Sequence, residues 1–287
     1  MHSLNFRTLS NQHMQKLSIL ICSSDKYKSL WNLNFDFLEK YWADCPYPVY
    51  LGTDSLLFER SKTLVNRKGQ YLSWSSCLLE WINQIDTEYV LLTLDDFIIR
   101  KKINQLQIDY CLEFIIKKNI DCLRLIARPK PFYPENEDSL FGRYDMMMPY
   151  LASLQASIWK KSSLLSLIKE GESIWEFENS GSSRAREQGG LSFYGVYETV
   201  FDYGEHIIDG GKLLRTSTYN LPIDKYKLDF TPNSFTSEIN ILLKRLLHFC
   251  IHNTPTYLRL KLINFLYSKY KSNTVEQKTI ASHNKEM

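Results

Sequence analysis

Short apolar runs alternate with stretches of helical period along most of this chain. Leu17–Cys22 is a continuous apolar run and predicts a strand. The polar turn Ser23-Ser24-Asp25 follows it. Leu30, Trp31, Leu33, Phe37, Leu38 and Tyr41 then recur at helical spacing and predict a helix over 27–42. Val49, Tyr50 and Leu51 form a second short strand that ends at Gly52-Thr53-Asp54. Residues 55–69 read as irregular. Leu72, Cys77, Leu78, Trp81, Ile82 and Ile85 predict an amphipathic helix over 71–85. Tyr89–Leu94 is a leucine-rich run with no Gly or Pro, which is the signature of a strand buried on both faces. It ends in two adjacent carboxylates, Asp95 and Asp96.

The alternation continues beyond that point. A helix is predicted over 103–118 and a strand over 121–126. Residues 129–148 read as a loop with edge pieces, and 150–159 as a strand. A helix over 161–168 is ended by Gly171. Residues 179–190 read as flexible, and short strands around 193–200 and 207–208 close the pattern near Tyr219. Strands alternating with helices predict a mostly parallel sheet with helices on both faces. The organisation expected is a flexible N-terminus over 1–16 and a main α/β domain over 17–235. A basic amphipathic tail of two helices over 236–271 follows, split by Pro255, and then a disordered end over 272–287.

Composition narrows the partners. The 287 residues are 44% hydrophobic and 14% aromatic, enough for a sizeable core. A net charge of +3 is too small to make nucleic acid the main partner. The charge is uneven, however. From Ser237 onward eight lysines and arginines face three glutamates. Bulky apolar residues interleave with them, a pattern suited either to an anionic membrane surface or to a helical hairpin packed on the main domain. None of the six cysteines forms a C-x-x-C pair. They read as buried free thiols, which fits a reducing cytosol. The first apolar run is too short for a signal peptide, and no run is long enough to cross a membrane. The expected location is the cytoplasm.

The candidate chemistry gathers at predicted strand ends. In open α/β sheets the ligand crevice lies outside the carboxyl ends of the strands. Asp95 and Asp96 lie there, and side-by-side acids favour a cation between them. A divalent ion such as Mg²⁺ or Mn²⁺ typically takes one or two carboxylates, with phosphates and water completing its shell. The ordinary use of an aspartate at such a place is to cap a turn. Ser23, Ser24 and Asp25 offer hydroxyls, N–H groups and a carboxylate to a nucleotide. Asp54 could accept a base N–H or a ribose hydroxyl. There is no G-x-G-x-x-G and no Walker A sequence, so dinucleotide and P-loop readings lose support.

A second acidic cluster spans 173–178. Glu176 and Glu178 flank Phe177 and follow Trp175. A carboxyl among aromatics can serve as a general base, and Trp175 could stack on a sugar. Ser173 and Glu176 also have the spacing of a capping box. Arg184 and Arg186 follow, as candidates for a lid that meets phosphate.

These motifs, in order, resemble bacterial GT-A-type glycosyltransferases of surface-polysaccharide and lipopolysaccharide synthesis. The resemblance runs from Leu17 to Tyr219. It is carried by Ser23-Ser24-Asp25, Ser73-Trp74-Ser75, Leu94-Asp95-Asp96, Leu154-Gln155-Ala156-Ser157-Ile158-Trp159 and Trp175-Glu176-Phe177-Glu178. It implies a GT-A-like, Rossmann-like catalytic domain with a C-terminal helical appendage. The donor would be a nucleotide sugar, a UDP-sugar, and the acceptor a glycan or lipid-linked oligosaccharide. Donor contacts would come from Ser23, Ser24, Asp25, Asp54, Ser73, Trp74, Asp95, Gln155 and Trp175. Asp96 with Asp95 would hold the cation, and Glu176 or Glu178 would be the base of an inverting transfer. The competing readings are a sugar-activating nucleotidyltransferase and a carbohydrate- or membrane-binding module without catalysis. The first would want a Gly/Arg/Lys-rich phosphate loop after strand one, where this chain has Ser23-Ser24-Asp25-Lys26.

Overall fold

The computed structural model describes residues 16–65, 72–232 and 234, together with 239, 242–243, 246, 254–255 and 258–265. Its centre is one mixed sheet of nine strands in the order β3-β2-β1-β4-β8-β5-β9-β7-β6. The strands are β1 (Leu17–Cys22), β2 (Val49–Thr53), β3 (Lys62–Val65), β4 (Tyr89–Leu94), β5 (Cys122–Arg124), β6 (Tyr133–Glu135), β7 (Asp138–Arg143), β8 (Ser157–Lys160) and β9 (Phe193–Val196). Strands β3, β2, β1 and β4 pair in parallel, as do β5 and β9. Only β8 and β7 run against the rest, so the sheet is mostly parallel and Rossmann-like.

Alternation along the central strands assigns the two faces. Leu17, Ile19 and Ile21 of β1 join one apolar cluster, and Leu20 and Cys22 join the other. Helices α1 (Lys28–Tyr41) and α3 (Gln105–Lys117) cover the first face. Trp31, Phe35 and Leu38 of α1 and Ile108, Cys111, Leu112 and Ile115 of α3 bury there. Helices α2 (Trp74–Asn83) and α4 (Lys161–Leu167) cover the second, through Cys77, Leu78, Trp81, Ile82, Leu164 and Leu167. Helices therefore lie on both faces, as the alternation of elements predicts. Cys22, Cys77, Cys111 and Cys122 are buried free thiols and Cys45 a half-buried one.

Three expectations are corrected. Residues 55–69 contain β3, a short edge strand whose polar, half-exposed sequence Lys62-Thr63-Leu64-Val65 carries no apolar run. Residues 150–159 are strand only from Ser157 onward. Tyr150 has a positive φ of 53°, and the carbonyls of Tyr150 and Leu151 face the Arg124 guanidinium instead of a neighbouring strand. The edge pieces expected within 129–148 are β6 and β7, a hairpin at the sheet edge. Within 179–190, expected to be flexible, residues 179–188 are helical instead. A π-helical turn over Phe177–Gly181 runs into α5 (Ser182–Gln188). Tertiary contacts stabilise that segment, with Phe177 and Ala185 fully buried.

After β9 the chain forms a small hairpin of β10 (Ile208–Asp209) and β11 (Lys212–Leu213), then the short helices α6 (Arg215–Thr218) and α7 (Ile223–Tyr226). This segment packs on α1 through Ile207, Ile208, Leu213 and Leu221. The tail expected over 236–271 lies largely outside the described residues, as do 1–15 and 266–287. Residues 258–265 are helical. Leu260 and Ile263 of that helix pack on the second core. Arg259 is buried, donates to the Pro131 carbonyl at 2.7 Å and lies 4.6 Å from the Phe132 ring centroid. Leu258, Leu262 and Phe265 remain exposed, and so do the helical Ile239, Leu242, Leu243 and Leu246. No helix among the described residues is long and apolar enough to cross a membrane.

One glycine sets how close a helix comes to the sheet beneath the crevice. Gly52 in β2 faces Trp81, and a Cβ there would lie 2.5 Å from the indole. The Trp81 Nε1 donates to the Thr53 carbonyl at 3.1 Å, so the ring cannot withdraw without losing that bond. Gly52→Ala is expected to destabilise the protein by roughly 1–3 kcal/mol through overpacking. The check is the midpoint of urea unfolding. A midpoint equal to that of the unchanged protein would contradict the close approach.

Candidate active site

The carboxyl ends of β1, β2 and β4 open on one edge of the sheet. Because β8 runs the opposite way, its entrance meets the same edge. Ser157 pairs with Leu92 on one side and Arg124 on the other. Gln155 lies two residues before β8, at that entrance. Helix α2 begins at this edge and α4 runs up to it.

Asp95 is the buried member of the acid pair. The Ser23 hydroxyl donates to its carboxylate, and the Trp31 Nε1 donates to the Ser23 Oγ at 2.7 Å. The Asn34 side chain donates to the Asp95 carbonyl at 2.9 Å, and the Asp95 N–H donates to the Cys22 carbonyl at 3.1 Å. The end of β4 is thereby fastened to β1 and α1. Burial, and then repulsion by Asp96, hold the Asp95 carboxyl well above the ordinary range. Asp96 is half-buried. Its carbonyl accepts from the Ile207 N–H at 3.2 Å and its carboxylate from the Ile208 N–H at a long 3.4 Å. Burial pushes this carboxyl up to about 7. The next turn, Asp25–Tyr27, adjoins both acids. The Tyr27 phenol is raised first by burial and then by the charges of Asp95 and Asp96.

Asp25 and Asp54 bind each other's backbone. The Asp25 carboxylate accepts from the N–H groups of Asp54, Ser55 and Leu56 at 3.1–3.2 Å and from the Ser55 hydroxyl at 2.6 Å. The Asp25 N–H donates to the Asp54 carboxylate at 2.9 Å. Burial raises the Asp25 pKa, but these donors outweigh it and the net shift is downward. Asp54 is raised, by burial and then by the Asp25 charge. The pair fixes the exits of β1 and β2 relative to each other.

Ser73 is the N-cap of α2 and accepts from the Ser76 N–H at 3.3 Å. Its hydroxyl also accepts from the Gly171 N–H at 3.0 Å, while Ser75 exchanges bonds with Glu172. Trp74 is half-buried, with its ring centroid 5.5 Å from that of Phe177. The start of α2 therefore anchors the segment that carries the second acidic cluster.

The two glutamates of that cluster occupy different settings. Glu176 is exposed and completes the capping box. Its Oε2 accepts from the Ser173 N–H at 2.8 Å and the Ser173 hydroxyl at 2.7 Å. Trp175 beside it is 66% exposed. Glu178 turns inward. It accepts from the Leu154 N–H at 2.9 Å and the Ser153 hydroxyl at 3.3 Å, and burial raises its pKa. Ser182 Oγ accepts from the Ala152 N–H at 3.0 Å, and Arg124 Nη2 donates to the carbonyls of Tyr150 and Leu151 at 2.8 and 3.3 Å. Glu178, Ser182 and Arg124 thus brace the loop that delivers Gln155. The Gln155 Oε1 is buried without a hydrogen-bond partner.

Arg184 and Arg186 do not form the expected lid. Arg184 is ion-paired with Glu172 at 2.6 Å and donates to the Leu167 carbonyl at 2.6 Å. Arg186 donates to the carbonyls of Met146 and Met148 at 3.3 and 3.2 Å. Both hold α5 to its surroundings. Sequence reasoning missed Arg124, and it placed a short strand at 207–208 without its partner β11 or the contact with Asp96. Arg124 sits in a strand with an apolar pattern, and the hairpin reaches Asp96 from 112 residues further along the chain.

Among the described residues, no group of three His, Cys, Asp or Glu side chains gathers as a metal shell. The donors present fit a cation that takes one or two carboxylates and completes its shell with phosphate and water. Asp96 is the better placed, since the Asp95 carboxylate already accepts from Ser23.

No protein-family model matches the chain, and no curated protein matches it in sequence. Similar solved structures include the bifunctional IspDF from Campylobacter jejuni, at 13% identity and a TM-score of 0.35, over 61% of this chain and 48% of that one. S. aureus TarS 1–349 in complex with UDP-GlcNAc matches at 16% identity and a TM-score of 0.37, over 67% and 60%. The CMP:2-keto-3-deoxy-manno-octonic acid synthetase complexed with CTP matches at 11% and 0.35, over 63% and 88%. The chain spans about half the length of the first of these and three-fifths of the second. These likenesses are distant and do not assign a family.

Proposed function

We propose that this chain is a glycosyltransferase that uses a nucleotide-sugar donor, a UDP-sugar, and inverts the anomeric centre. The observation that carries the reading is the convergence at one sheet edge. Ser23, Asp95 and Asp96 come from two strand ends, and an exposed glutamate and tryptophan come from a helix start anchored to the beginning of α2 at the same edge. The first group suits a diphosphate, the second an acceptor sugar.

In this reading the nucleotide lies over the ends of β1 and β2, near Ser24 and Asp54. A divalent cation held by Asp96, with Asp95 behind it, would supply charge neutralisation for the departing diphosphate. Glu176 is the proposed base, because its carboxylate is exposed where an acceptor can reach it. It takes the proton from an acceptor hydroxyl as that oxygen bonds to the anomeric carbon and the bond to the diphosphate breaks. Trp175 offers a face for the acceptor ring. Glu178 positions the 150–155 loop instead. The acceptor is a glycan or lipid-linked oligosaccharide. The exposed apolar positions near the C-terminus, with the basic excess there, suit an anionic membrane surface where such an acceptor would be met.

Thermal unfolding with nucleotides tests this reading. A ligand that binds only the folded state raises stability by about 2.7 kcal/mol at a hundred times its Kd, or roughly 5 °C for a domain of this size. UDP with Mn²⁺ is expected to give such a shift. A shift with CTP and Mg²⁺ but none with UDP would favour a nucleotidyltransferase. No shift with any nucleotide would sink both.

A further inference from the structure

The β10–β11 hairpin lies beside the exit of β4. Its base is tied to Asp96 through the N–H groups of Ile207 and Ile208. Its buried residues Ile208 and Leu213 pack on α1 and fix its height. The turn at its tip is Gly210-Gly211, with φ of 56° and 77°, values that favour glycine. Nothing lies within 4 Å of the place a Gly210 side chain would occupy. At Gly211 the neighbour is the Lys26 amino group, 3.6 Å from where a Cβ would start. Lys26 belongs to the turn that follows Ser23 and Ser24. The hairpin therefore links the β4 exit to the β1 exit, with one lysine where they meet.

Some cations of the molecule are already committed to a carboxylate, and this lysine is one of those that are not. Arg60, Arg128, Arg184 and Lys225 each pair with a carboxylate. Lys26 is exposed and forms no ion pair among the described residues; its one charge contact is the Tyr27 ring, 5.7 Å away. Charge balance gives it a use. The crevice presents two aspartates, and a diphosphate would bring more negative charge. One divalent ion leaves that sum negative. A flexible ammonium at the rim is a suitable partner for a phosphate oxygen.

We propose that Lys26, seated against the Gly210-Gly211 tip, is the protein's own cation for the donor diphosphate. The inference rests on the nucleotide-sugar reading above and adds a residue to it. The test is binding of uridine and UDP, each with Mn²⁺, to the full chain carrying Lys26→Met, which keeps the apolar stem, and Lys26→Arg. UDP affinity is expected to fall about tenfold or more in Lys26→Met, to be largely kept in Lys26→Arg, and to depend less steeply on salt in Lys26→Met. Uridine affinity should not change. Equal UDP affinity in Lys26→Met and the unchanged protein would overturn the assignment of Lys26 while leaving the nucleotide site standing. An equal loss for uridine and UDP would also overturn it, since the lysine would then act on the nucleoside or on the fold. Failure of the unchanged protein to bind UDP would overturn the nucleotide-sugar reading, and this inference with it.

Discussion

Asp96→Ala is expected to lower sugar transfer by roughly 10²–10³-fold, the loss typical when one preorganised charge-stabilising group is removed from a reacting centre. Fold stability should be unchanged or higher. The two effects have one cause. A carboxyl whose pKa is raised in the folded state opposes folding above its unfolded value. The cost of an ionised Asp96 therefore grows from about pH 4 to about pH 7 and stays above that. Removing the group removes the cost. Its hydrogen bond from Ile208 is too long to offset this. Asp95→Ala should behave differently, because it leaves the Ser23 hydroxyl without its acceptor, unsettles the Ser23 Oγ that accepts from the Trp31 indole, and loosens the junction of β1, β4 and α1. Turnover of a UDP-sugar and the thermal midpoint at pH 8, measured on both variants, separate the roles. Asp96→Ala with turnover within threefold of the unchanged protein would remove Asp96 from the chemistry.

The contrast between the two aspartates marks how far sequence reasoning reaches. The adjacency of the acids and the buried strand before them were legible, because a six-residue apolar run with no breaker has few alternatives. β1 and β4 have the bounds their apolar runs predict. Which acid is tied down was not legible, since Ser23, itself held by Trp31, meets Asp95 only through parallel pairing over 72 residues of chain. The same limit applies elsewhere. The capping box of Ser173 and Glu176 is local and could be read from spacing. Arg184 reads as a solvated or lid residue because its partner Glu172 is no helical neighbour. The strand expected over 150–159 begins late because Arg124, arriving from β5, takes the carbonyls that a ladder would need. Hydrophobic period fixes which face a residue takes, while buried ion pairs and side-chain-to-backbone bonds decide where regular structure stops.

Glu176→Gln is expected to reduce kcat by about 10²–10⁴-fold, the range for losing a positioned general base. The glutamine can still accept from the Ser173 N–H and hydroxyl, so the capping box should survive and the thermal midpoint should move little. Glu178→Gln removes a carboxylate that is buried and bonded to the Leu154 N–H, and the amide offers that donor a weaker acceptor. The loop that carries Gln155 should loosen. The expected signature is a higher KM for the donor and faster hydrogen exchange over 150–155, with kcat falling less than tenfold. The pH profile separates the two residues independently, because only loss of the base should abolish the acidic limb of kcat. If instead Glu178→Gln gave the 10²-fold loss and Glu176→Gln kept its activity, the roles would exchange. Burial would then be the feature that makes the base, through a raised pKa, and the exposed glutamate would serve only as a cap.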